Sequence, residues 1–245
     1  MCFYIQQASE IAKVVIDEKV AMVTTGAGSP EPYMKAWKEA GIKVFPLAGS
    51  VAFARKMERY GADAIIAEGS EAGGHISDIT TMALTPQIVS AVNIPVITAG
   101  GIASGAQIAA AFALGASGVQ AGTIFLAATE CNVHPEYKQL VIDAKDIDTI
   151  VTGKRLGHPV RALRTPFTRD FFKKEYDSAF SNEDLEKAGL GSYRCAIQSG
   201  DIEKGSFMAG QVAGMVKSER PAKEIIDELV TQTNEAIQKL QDISI

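Results

Sequence analysis

Short apolar runs alternate with helical patterns through the first half of the chain. The runs cover 20–25, 42–47, 62–67, 94–99 and 117–121, and a glycine follows each within two residues. They are apolar at successive positions, so both faces of each strand would be covered, as in a buried parallel sheet. Between them the spacing of apolar residues is helical. Ile11, Val14 and Val15 form one stripe, and Tyr33, Met34 and Trp37 another. Pro86 suits the first turn of a helix carrying Ile88, Val89 and Val92. Ser104 can cap a helix bearing Ile108 and Phe112, which Gly115 can end.

Strands alternating with helices predict an α/β fold, either a doubly wound sheet or a (β/α)8 barrel. The dinucleotide fingerprint GxGxxG and the phosphate loop GxxxxGK[ST] are both missing, which favours the barrel. Five strands are too few for eight, and Phe3-Tyr4-Ile5 reads as the end of a sixth. The pattern changes near residue 131. Residues 132–206 are basic and rich in turn formers, and predict irregular loops with short helices. From 207 to the end the chain predicts a loop and then a closing helix, with Pro221 in its first turn. On one face of that helix fall Ile225, Ile226, Leu229, Val230, Ala236, Ile237 and Leu240. The expected organisation is therefore a barrel portion at 1–131, a basic extension at 132–206 and a closing segment at 207–245.

Composition adds little to the fold but narrows the setting. With 245 residues, 47% of them apolar, and a net charge of −5, the chain can build a core and is not disordered. It contains no run of about 20 apolar residues, so no membrane span is expected. Its first residues lack the basic flank and cleavage site of a signal peptide. Cys2, Cys131 and Cys195 show no CxxC spacing, which points to the reducing cytoplasm and to neither a disulfide framework nor a zinc site. No nucleic-acid partner is expected, and a homodimer is allowed. Charge has local structure: residues 145–175 are net +4, leaving −9 for the remainder. Such a segment can attract an acidic partner.

In barrels and open parallel sheets ligands bind at the carboxyl ends of the strands. Nine glycines fall between Gly69 and Gly122, several of them at such ends. Gly100-Gly101 and Gly122-Thr123 follow the last two strands, where many barrels bind phosphate. No lysine sits at a strand end, which argues against a Schiff base. No histidine and carboxylate group is spaced for a metal, and no G-x-S-x-G elbow exists. The mouth carries His75 and the carboxylates Glu68 and Glu71; His134 and His158, in the basic extension, read as structural. So few acid–base groups beside phosphate-type loops point to a cofactor that carries the chemistry, and flavin mononucleotide (FMN) fits. His75 can donate or accept a proton near neutral pH.

At these residues the sequence resembles a known superfamily. Residues 67–75, Ala-Glu-Gly-Ser-Glu-Ala-Gly-Gly-His, look like the AEGxEAGGH loop of the flavin-dependent enoyl-ACP reductase II and nitronate monooxygenase superfamily. Residues 95–102 and 120–123 resemble its two phosphate loops. The segments 24–28, 33–34, 134–138, 146–149, 157–161, 168–171 and 208–211 resemble the reductase branch in particular, so the likeness runs along nearly the whole chain. It implies a TIM-type barrel with an α-rich C-terminal extension, whose first two to three strands lie ahead of Phe3. It implies FMN held by Glu68, Gly73, Gly74, Gly100, Gly101, Gln120, Ala121, Gly122 and Thr123, with no metal. It also implies reduction of a trans-2-enoyl thioester on acyl carrier protein by NADH or NADPH, in fatty acid biosynthesis, with His75 supplying the proton or stabilising the enolate. The acidic carrier would dock on the 145–175 segment. Two alternatives share these motifs: a nitronate monooxygenase in which His75 removes the proton alpha to the nitro group, and a truncated paralogue that binds flavin without turnover.

Overall fold

A computed structural model describes residues 8–242. Contacts divide the chain into two compact units. One holds the described residues up to Ser70, together with Ser77–Ala99 and Ala110–Gln120; the other holds Glu71–Ile76, Gly100–Ala109 and the chain from Ala121 onward. Phe3-Tyr4-Ile5 and Cys2 lie outside the described residues.

The first unit is a parallel sheet with helices. Its strands are β1 (Met22–Thr25), β2 (Lys43–Ala48), β3 (Ile65–Glu68), β5 (Val96–Ala99) and β6 (Gly118–Gln120), in the order β1-β2-β3-β5-β6. Every pair is parallel and the order follows the chain, with no switch point. That is the winding of a barrel wall rather than of a doubly wound sheet. Each expected strand is present, shortened by one to three residues at its start.

Helices α1 (Ala8–Asp17), α2 (Glu31–Glu39), α3 (Val51–Arg59) and α4 (Thr81–Val89) connect these strands. Met34 and Trp37 of α2 are fully buried, as the stripe predicts, and the Trp37 indole N–H donates to the Ala12 carbonyl at 3.0 Å. The core gathers these two with Met57, Ile65, Leu84, Ile88 and Val96. Two local expectations change. The buried face of α1 is Ala8 and Ala12, while Val14 is exposed, because Trp37 needs close approach to the α1 backbone. Pro86 sits inside α4 rather than in its first turn. The bond it cannot donate would go to the carbonyl of Met82, which is 74% exposed and so within reach of water.

In the second unit an antiparallel sheet forms where the sequence predicted loops. Strand β4 is only Gly74–His75; it pairs with β8 (Val160–Leu163), which pairs in turn with β7 (Thr149–Thr152). Strands of two to four residues leave too short an alternation to be read from sequence. Helix α5 (Gly105–Ala113) runs from one unit into the other, with Ser104 capping it through the Gln107 N–H at 3.4 Å, as predicted. Helices α6 (Pro135–Asp143), α7 (Pro166–Glu175), α8 (Asn182–Gly189), α9 (Ser192–Ser199) and α10 (Ala222–Gln241) complete the second unit. Thr165 and Thr168 form a capping box at α7, and Ser181 and Asp184 another at α8.

The core of this unit is built on Tyr137 and Phe207, whose rings meet edge to face at 5.0 Å. The Tyr137 hydroxyl donates to the Met208 carbonyl at 2.6 Å. In the closing helix only part of the expected face is buried. Ile225 and Leu229 are covered, joined by Thr233, whereas Ile226, Val230, Ile237 and Leu240 are exposed. Among the described residues no helix is long and apolar enough to cross a membrane.

Candidate active site

The site is built where three glycine-bearing loops of the second unit meet a fourth loop at 207–211. The first is the 71–75 loop. Gly73 packs so closely on the fourth that a Cβ there would lie 2.6 Å from the Ala209 carbonyl carbon and 2.7 Å from the Gly210 nitrogen. Gly210 is confined in the same way: a Cβ on it would meet the Glu71 carbonyl oxygen at 2.7 Å and Thr123 Oγ1 at 3.1 Å. Hydrogen bonds fix this junction. Gly210 N–H donates to Thr123 Oγ1 at 2.9 Å, and Gln211 N–H donates to the Glu71 carbonyl at 3.0 Å.

The second loop carries Gly100 and Gly101, both in the left-handed region at φ 89° and 78°. The Glu71 carboxylate lies directly against Gly101, where any side chain would have to begin. The third loop carries Ala121, Gly122 and Thr123. A Cβ on Gly122 would meet nothing within 4 Å, so its backbone borders open space. Thr123, Gly210, Glu71 and Gly101 thus form a continuous line of contacts. Of the residues expected to hold a cofactor, Gly73, Gly74, Gly100, Gly101, Ala121, Gly122 and Thr123 fall in these loops.

His75 ends β4 and pairs with Val160, while Gly74 pairs with Arg161. The backbone ladder therefore fixes the position of His75 whatever its side chain does. The imidazole pKa is lowered, first by desolvation against the protein and second by the nearby His158. Both effects favour the neutral ring near pH 7, the form that can accept a proton or donate its N–H. Arg161 is half-buried, and the loss of water lowers its pKa while the charge of Glu71 works in the opposite direction. Its guanidinium stays charged, and Nη1 donates to Thr149 Oγ1 at 3.0 Å. His134, read as structural, caps α6: its Nδ1 accepts from the Glu136 N–H at 3.1 Å.

The two remaining candidates, Glu68 and Gln120, belong to the first unit. Register places Glu68 beside Ala99, and Ala99 beside Gln120, at the carboxyl edge of the sheet. Burial alone pushes the Glu68 carboxyl up to about 7. At the same edge the Thr25 hydroxyl is buried with no hydrogen-bond partner among the described residues. The sequence pattern includes Arg161 and Gly210 in family-like segments but gives neither a role at the site. Arg161 was one cation among eight in a basic segment, and Gly210 has no chemistry of its own.

The family model for nitronate monooxygenase matches residues 3–232. The chain belongs to that family. A Staphylococcus aureus member, named probable nitronate monooxygenase, is 34% identical over 91% of this chain and 66% of its own length. The chain spans about two thirds of the length of the curated relatives it matches. Two solved structures of the family's fold are also similar. FabK from Thermotoga maritima is 47% identical, with a TM-score of 0.95 over 98% of this chain and 76% of that one. Nitroalkane oxidase from Streptomyces ansochromogenes is 32% identical, with a TM-score of 0.79 over 94% of this chain and 68% of that one.

Proposed function

We propose that this chain is the greater part of an FMN-dependent enoyl-ACP reductase of the FabK type, its parallel sheet being part of a (β/α)8 barrel. The observation that carries this reading is the 47% identity to FabK, against 32% and 34% for the nitroalkane and nitronate relatives. The glycine loops fit a flavin phosphate in one respect and resist it in another. Gly122 offers bare backbone to open space, whereas the Glu71 carboxylate stands against Gly101. A phosphate entering there requires the Glu71 carboxylate to turn away from Gly101.

FMN, when bound, would supply hydride transfer from NADH or NADPH to the double bond of an enoyl thioester on acyl carrier protein. The chain's own residues would do the rest. Gly73, Gly101, Gly122 and Thr123 shape the cradle. Glu68, whose carboxyl burial pushes up to about 7, can donate a hydrogen bond in its protonated form. The neutral ring of His75 would donate an N–H hydrogen bond to the thioester carbonyl oxygen as negative charge develops, and its protonated form would supply the proton that completes saturation.

A nitronate monooxygenase is the second reading, favoured by the family match and by the names of the relatives. In that reaction His75 would instead accept the proton alpha to the nitro group. The two are separated by supplying the purified chain with FMN and running two assays. NADH or NADPH oxidation that depends on a crotonyl thioester supports the reductase. Oxygen uptake with an alkyl nitronate, without thioester-dependent oxidation, overturns it.

A further inference from the structure

Two cations of the basic 145–175 segment are held by contacts to α7 and the loop after it. Arg155 donates to the carbonyls of Glu175, Asp177 and Phe180, and Lys174 pairs with Asp170 at 2.7 Å. Five others turn to one place. Lys154, Arg161, Arg164, Arg169 and Lys173 line a cavity of about 430 Å³ together with Phe172, and among the described residues no carboxylate lines it. Two of the guanidiniums are held in position. Arg161 donates to Thr149 Oγ1, and Arg164 Nε donates to the carbonyls of Ile147 and Thr149 at 2.9 and 3.1 Å. Lys154, Arg169 and Lys173 make no ion pair among the described residues.

Lys154, Arg169 and Lys173, which make no ion pair among the described residues, repel one another around one hollow, and a multiply charged anion relieves that repulsion. Guanidinium forks match the oxygens of phosphate esters. The volume lies in the range of small-molecule pockets, roughly 300–1,000 Å³. Phe172 adds an apolar face: it is 37% exposed, and its ring is backed by Tyr176 at 4.9 Å. Aromatic faces of this kind accept a nucleobase by stacking.

We propose that this cavity binds the nucleoside diphosphate portion of a phosphorylated coenzyme, with the cations on the phosphates and Phe172 beside the base. Two sources carry that group, a coenzyme A thioester and a reduced nicotinamide dinucleotide. An acidic carrier protein, which the segment's charge alone would invite, is the competing occupant. Arg161 is opposite Gly74 in the β4–β8 pair, so the cavity lies on the same sheet as His75. The proposal does not depend on which reaction His75 serves.

Isothermal titration calorimetry on the full chain tests it, with ADP, adenosine, coenzyme A and NADPH as separate ligands. ADP is expected to bind at least about tenfold more tightly than adenosine, and to weaken as salt rises. The double substitution Arg169→Ala, Lys173→Ala, on the exposed side of α7, is expected to weaken ADP by about tenfold or more with an unchanged circular dichroism spectrum. Phe172→Ala, made separately, should weaken ADP more than it weakens inorganic diphosphate. Tighter binding of coenzyme A than of NADPH, or the reverse, identifies the source and supports the site either way. ADP binding no better than adenosine, or equally well to the double variant, overturns the proposal. So does binding of an acidic carrier protein that a saturating excess of ADP leaves unchanged.

Discussion

The carboxylate of Glu71 packs against the backbone of Gly101, in the space that a side chain on Gly101 would need. An anionic group thus rests on the loop proposed to take the flavin phosphate. Glu71→Gln removes the repulsion between this carboxylate and an incoming phosphate while keeping the side chain's shape. FMN affinity, followed by quenching of flavin fluorescence, is expected to rise by up to about tenfold. Weaker FMN binding in this variant would mean that the carboxylate helps to hold the flavin.

The two glycines nearest that phosphate position should respond differently to a methyl group. Gly101→Ala combines a left-handed φ of 78° with a collision at Glu71, and should cost roughly 1–3 kcal/mol of stability. Gly122→Ala has an ordinary φ of −122° and open space, so its melting temperature should match the parent protein. Its FMN affinity should nevertheless fall, because the methyl enters the space where the backbone would approach the ligand. Unfolding experiments and flavin titrations on both variants check the contrast.

Gly73 and Gly210 hold the junction between the 71–75 and 207–211 loops. Gly210→Ala is expected to lower the melting temperature by roughly 4–8 °C, from a packing cost of about 2 kcal/mol in a chain of this size. An unchanged melting temperature would show that the junction yields easily.

Glu68 gives stability a pH dependence whose sign is fixed. Its folded pKa of about 7 is above its ordinary value of 4.5, because burial disfavours the charged form. Its contribution is therefore complete below about 4.5 and is lost as pH rises through about 7. Glu68→Gln cannot ionise. Thermal melts should show it gaining on the parent protein between pH 5 and pH 8; parallel melting curves at both pH values would refute the raised pKa.

His158 lies near enough to His75 to help lower the His75 pKa. His158→Gln removes one of the two causes that lower the His75 pKa, so that pKa should rise toward 6.5 when followed by NMR. His75→Ala should keep its fold and its FMN, since β4 pairs through backbone, but lose most thioester reduction.

Much of this was legible in the sequence for physical reasons that can be named. The parallel strands show because burial on both faces makes them apolar at successive positions, and because ligand-side loops need glycine. Trp37 and Met34 show because a helix face repeats at a fixed spacing. Gly74–His75 does not show as a strand, since it is two residues long and pairs with residues far later in the chain. The β7–β8 hairpin is hidden for a related reason: Thr149–Thr152 and Val160–Leu163 are four residues each within a charged segment. Gly210 is invisible because its contribution is to have no side chain between Glu71 and Thr123. The division of the basic segment likewise needs the fold, because only the fold brings Lys174 to Asp170 and Arg155 to the carbonyls of Glu175, Asp177 and Phe180.

Whether the His75 site reduces an enoyl thioester is tested most directly by turnover of a reduced nicotinamide nucleotide and a thioester without oxygen. The chain is supplied with FMN and NADPH or NADH in an anaerobic cell, and a crotonyl thioester is added. The reductase reading predicts sustained nicotinamide oxidation with one saturated thioester formed for each nucleotide consumed, and little of it in His75→Ala. No thioester-dependent oxidation under these conditions, in a protein that retains FMN and consumes oxygen with an alkyl nitronate, would contradict it.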